Sequence, residues 1–165
     1  MTEMRRRARA PWLVALVAFL LAQVAVAQEE APSPPGRAET ARLVWSTLIA
    51  VDHANRTGNY AVLRDLGAPD FRSANDPAKL AVVFASIRAR DLGLARVVLS
   101  NPVYSEEPGL TETGLYEVKG RFPGRPEGIS FELYFQYAEG AWKIYALAIA
   151  ALEDEADPGA ETGQE

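Results

Sequence analysis

Apolar positions along this chain change their spacing twice, and each change marks a new kind of segment. Residues 12–26 form an uncharged apolar run with no periodicity. From residue 38 the spacing is helical. Leu43, Val44, Trp45, Leu48, Ile49 and Val51 cover more than one face of a helix predicted over residues 38–57, which should be well buried. Arg56 sits in its last turn and Gly58 can take the left-handed stop. Asn59 can cap a short second helix over residues 60–66, which Gly67-Ala68-Pro69 ends. A third helix starts at Asn75 or Asp76 with Pro77 in its first turn. It keeps Leu80, Phe84, Ile87 and Asp91 at helical spacing, with Val83 beside them, and stops at Gly93.

After Gly93 the period is two. Residues 94–100 are a β-branched run that Asn101-Pro102 closes. Residues 110–122 read as one long strand, with Tyr116, Val118, Gly120 and Phe122 on one face and Glu117, Lys119 and Arg121 on the other. A Pro/Gly-rich turn leads to a strand with Ile129, Phe131, Leu133, Phe135 and Tyr137 on one face and Ser130, Glu132, Tyr134 and Gln136 on the other. Ala138-Glu139-Gly140 turns the chain into a last strand running to about Ala151. The expected fold class is α+β: three N-terminal helices packed on one face of an antiparallel sheet.

The N-terminal run has the layout of an export signal. Arg5, Arg6, Arg7 and Arg9 precede it, and Ala25-Val26-Ala27 offers small residues at a cleavage site before Gln28. The run is shorter than the ~20 residues a spanning helix needs. Cleavage after residue 27 is therefore the expectation, with no stable membrane span left. An uncleaved anchor is the alternative. The reading places the protein outside the cytoplasm, in a periplasm or secreted. Residues 28–37 form a Pro-rich linker, 38–152 the domain, and 153–165 an acidic tail expected to be disordered.

Charge removes one class of partner. Of 17 basic and 22 acidic residues, the mature chain keeps 13 and 21. Eight of those acids lie at the start of the linker or in the tail, so the domain itself is balanced. Nothing forms a basic stripe, and nucleic acid is not an expected partner. The absence of cysteine excludes disulfides and thiolate ligands. With one histidine, His53, a dedicated metal site is not expected, nor is a cofactor. Phosphate-binding glycine loops and Gly-X-Ser-X-Gly elbows are absent too.

The order of these parts resembles the nuclear transport factor 2-like superfamily over residues 38–151. The marks are Arg56-Thr57-Gly58-Asn59-Tyr60, Ala68-Pro69-Asp70-Phe71 and Glu139-Gly140-Ala141-Trp142-Lys143-Ile144. The resemblance implies a cone, or cystatin-like roll, in which a strongly bent sheet wraps the helices around a pocket. Such folds carry isomerases, dehydratases and binding proteins alike. The ketosteroid isomerase pattern does not carry over. Its helix tyrosine falls near Ala50, its base near Ser73 or Ala74, and no inward strand position holds a carboxylate.

Trp45, Leu48, Asp52, Tyr60, Phe84, Tyr116, Val118, Phe131, Leu133, Phe135 and Tyr137 are the pocket-lining candidates, and no residue stands out as catalytic. An interior of this lining suits an apolar small molecule, or is filled by its own side chains. Asp52-His53 is the one place where a carboxylate and an imidazole are neighbours, and a surface or capping role is expected for both. The outer sheet face, with Glu117, Lys119, Glu132, Tyr134, Lys143 and Tyr145, is the candidate homodimer interface. The functional expectation is an exported non-enzymatic domain that binds a small apolar ligand or acts as an envelope interaction module. A cofactor-free isomerase or dehydratase is the alternative.

Overall fold

A computed structural model describes residues 32–124 and 127–152. The expected export signal, the first residues of the expected linker (28–31), the acidic tail and the Arg125-Pro126 step of the turn lie outside the described residues. Among the described residues, five α-helices are followed by a 3₁₀ helix and an antiparallel sheet, an α+β arrangement.

Helix α1 (Arg37–Thr57) buries Thr40, Leu43, Val44, Thr47, Leu48, Val51, Asp52 and Ala54 along one broad stripe. Gly58 ends it at φ 72°, donating its N–H to Ala54 O at 2.8 Å. The Asn59 side chain then accepts the Ala61 N–H at 3.0 Å and opens α2 (Ala61–Asp65). Pro69, expected to end a helix, starts one: α3 (Pro69–Ala74) has proline in its first turn, where the missing N–H costs nothing.

The expected third helix begins as read, with Asp76 accepting the Lys79 N–H at 2.8 Å. It is broken at Phe84 into α4 (Pro77–Val83) and α5 (Ala85–Ala89). Leu80, Phe84 and Ile87 all still face the core.

The β-branched run is a correction. Leu94–Leu99 is a 3₁₀ helix, not a strand. Gly93 enters it at φ 56°, and the Arg96 guanidinium donates to Leu92 O at 2.7 Å, bracing the turn. Leu94 and Val97 are three residues apart, so a threefold turn buries both against α1.

The strand expected over 110–122 is also interrupted. β1 (Val103–Tyr104) and β2 (Gly109–Leu110) are two-residue strands that both pair with β3 (Tyr116–Phe122). Thr111 and Gly114 fold a turn between β2 and β3. β3 pairs with β4 (Gly128–Ala138), and β4 with β5 (Ala141–Leu152). The β4–β5 turn uses Glu139 at φ 54° and Gly140 at φ 78°, the doubly left-handed geometry that suits a two-residue hairpin.

One bulge re-aims β5. Phe135 pairs with Ile144 and Tyr134 with Ala146, which leaves Tyr145 unpaired. Cross-strand partners share a face, so beyond the bulge Leu147 and Ile149 join Leu133 and Phe131 on the inner side. Ala146, Ala148 and Ala150 stand outside.

Candidate functional site

Of the two expectations for the inner face, a ligand cavity or a core filled by its own side chains, most of the candidate residues take the second. Leu48, Tyr60, Phe84, Val118, Phe131, Leu133 and Phe135 are buried in one apolar cluster, with Trp45 packed against it. The Tyr60 ring stacks on Phe84 with centroids 6.3 Å apart. Its hydroxyl donates to Asn55 Oδ1 and accepts from Arg88 Nη1, both at 2.7 Å. Tyr137, expected to face inward, is 45% exposed. It sits near the hairpin end, where its ring meets only the edge of Trp142 among the aromatics.

Asp52, one of the pocket-lining candidates, is buried, so the surface role also considered for it does not hold. Its Oδ1 accepts the Ala95 N–H at 3.3 Å across α1 and the 3₁₀ helix, and its Oδ2 has only Arg56 at 3.9 Å. It borders a cavity of about 80 Å³, with Asn55, Arg88 and Asp91 among the other walls. His53 points to solvent.

A larger space lies at the opposite end of α1. The helix N-terminus, β1 and the start of β3 enclose a cleft of about 350 Å³ lined by Pro35, Arg37, Thr40, Tyr104, Glu107, Pro108 and Tyr116. Pairing brings this set together: Tyr104 lies across from Gly120, and Leu110 across from Tyr116. Gly120 is required there. A Cβ at this position would lie 2.7 Å from Val103 O and 2.8 Å from Phe131 Cζ.

The buried polar groups of the cleft satisfy each other. Thr40 donates its hydroxyl to Gly36 O at 3.1 Å and lies 2.7 Å from the Tyr116 hydroxyl, which therefore donates to it. The Tyr116 ring leans on Trp142 at 5.6 Å. Burial, and secondarily Tyr116, pushes the Tyr104 phenol above its ordinary value, so it stays protonated. Arg37 and Glu107 are exposed at the rim. This arrangement offers aromatic walls, hydroxyls and two opposite rim charges.

Of the sequence candidates only Tyr116 borders this cleft. Thr40 was legible as the next position up the stripe from Leu43 and Val44. Tyr104 and Pro108 carried no periodic signal, because each sits in or beside a two-residue strand.

The outer sheet face forms its own charge network. Lys119 Nζ lies 2.6 Å from Glu117, 3.3 Å from Glu106 and 3.6 Å from Glu132, and Tyr134 donates to Glu132. Lys119 first, then Tyr134, holds Glu117 below the usual carboxylate range. Lys143 pairs with Glu139 at the turn, and Tyr145 is the bulge residue.

Comparison with protein-family models, curated proteins and solved structures gives no match for this chain.

Proposed function

We propose that this chain is an exported, non-enzymatic domain that binds a small amphipathic molecule in the cleft between the α1 N-terminus and β1–β3. The reading includes the bent, cone-like sheet of the nuclear transport factor 2-like folds. The observation that carries it is the place of the free volume. The interior is occupied by side chains, whereas about 350 Å³ lies open beside Tyr104 and Tyr116. A space of that size suits a small organic ligand. Its lining favours a molecule with an apolar body against the tyrosine rings and prolines, and a polar end near Arg37.

Binding suits this chemistry better than catalysis. A general base needs a pKa near the working pH and reach to the substrate. Tyr104 is held protonated, and Glu107 is the one carboxylate among the lining residues, exposed at the rim.

The test is native mass spectrometry of protein purified from its host, followed by thermal shifts across fatty acids, sterols and aromatic acids. A ligand at a hundred times its dissociation constant stabilises by about 2.7 kcal/mol, enough to move Tm by several degrees. The shift is expected in the native protein and lost in Tyr104→Arg, which fills the cleft. No bound mass together with no shift would remove this reading.

A further inference from the structure

β5 is the last strand of the sheet, bonded to β4 along one edge. Among the described residues its other edge is hydrogen-bonded at a single point. Ala68 donates its N–H to Ile144 O at 2.8 Å, and Ile144 N–H reaches Leu66 O at 3.4 Å. Beyond it, Tyr145-Ala146-Leu147-Ala148-Ile149-Ala150-Ala151-Leu152 has no pairing on that side among the described residues. It contains no charge and no proline. Such an edge is a template for another strand, and the usual guards against pairing are missing.

We propose that a second copy of this chain occupies it, β5 against β5 and antiparallel, about a two-fold axis at Ile149. Paired residues must share a face, so the axis has to pass through a residue rather than between two. Centring it at Ile149 uses 146–152 and leaves Ile144 to its existing partner. Ala148 then faces Ala150 of the other copy on the outer side, and Leu147 faces Ala151 on the inner side. The outer positions are all alanine up to Ala150, so no large side chain on that face stands in the way of close approach. Leu147, Ile149 and Ala151 are half-buried and would be covered by their own equivalents.

Charge favours a second copy over a foreign strand. Glu153, Asp154 and Glu155 follow Leu152 directly in the sequence. Antiparallel pairing about Ile149 sets Leu152 across from the other copy's Ala146, at the end of β5 where Lys143 and Arg72 stand, both gathered on Glu139. The two-fold makes this match twice. The pairing is independent of any ligand in the cleft.

The absence of cysteine allows a clean test on the full exported chain. Ala148→Cys and Ala150→Cys proteins are mixed, dissociated, reassociated and mildly oxidised. The mixed disulfide is expected to dominate over both same-variant disulfides. In light scattering the native protein is expected at twice the monomer mass. Ala148→Lys, at an exposed site, should fold and shift toward monomer, because it sets two new cations near the axis. A native monomer overturns the proposal. So does a dimer that forms mixed and same-variant disulfides at statistical ratios, which places the contact on another surface. If Ala148→Lys fails to fold, the cysteine ratio still decides. A monomer that instead captures an added extended peptide along β5 also counts against self-pairing.

Discussion

The Thr40 and Tyr116 hydroxyls lie 2.7 Å apart and join the first turn of α1 to the start of β3. This bond closes the floor of the cleft and ties the helix to the sheet across 76 positions. Its two ends are not equivalent. Thr40 also donates to Gly36 O, whereas the Tyr116 hydroxyl has no second hydrogen-bond partner among the described residues. Thr40→Val should therefore cost more than Tyr116→Phe: about 2 kcal/mol against about 1 kcal/mol in urea unfolding. Equal losses would mean that the Tyr116 hydroxyl is satisfied by solvent from the cleft.

A filled interior has a measurable signature. Phe135 is 1% exposed among Leu48, Val118 and other core residues. Phe135→Ala should destabilise by about 3–5 kcal/mol, through lost transfer energy plus an unrelaxed cavity. A loss under about 1 kcal/mol would show that the side chain borders empty space.

Gly120→Ala tests how β1 is held. The added methyl meets Val103 O at 2.7 Å, a backbone atom that cannot rotate away. Relief requires β1 to shift, and β1 carries Tyr104. The variant should lose about 1–3 kcal/mol of stability. Amide exchange of Tyr104 and Ser105 should rise more than that of β4. Unchanged exchange at β1 would place the strain elsewhere.

The β4–β5 turn has its own acid response. Arg72, and then Lys143, holds the Glu139 carboxyl at about 2, below its reference value of 4.5. A carboxyl lowered by folding adds stability above its unfolded pKa and loses it as pH falls toward about 2. The group is exposed, so the contribution to stability is small and salt-sensitive. Carboxyl-detected NMR should place the Glu139 midpoint near 2, and Arg72→Ala should raise it toward 4.5. A native midpoint near 4.5 would show that the turn's ion pairs do not persist in solution.

Much of the element order was legible because local chemistry writes it. Gly58 ends α1, Asn59 opens α2, Asp76-Pro77 opens α4, and the alternation in β3 and β4 separates Val118 and Leu133 from Lys119 and Glu132. Those signals act within a few residues. The run from Leu94 to Leu99 departs from its local preference for a related reason. β-branching favours a strand locally, but Leu94 and Val97 reach α1 together only in a threefold turn.

What the order of amino acids determined by itself is where helices stop, which strand faces are apolar, that the chain has no thiol, and that no inward strand position carries a carboxylate. Tertiary structure alone decided that the apolar face closes on itself, that Tyr145 is left out of register, that Asp52 is buried, and that Tyr104 meets Tyr116 and Thr40 at an open cleft. These depend on contacts between residues far apart in the chain. Whether a space is filled or left open is set by volumes brought together from several elements, and no single segment carries that sum.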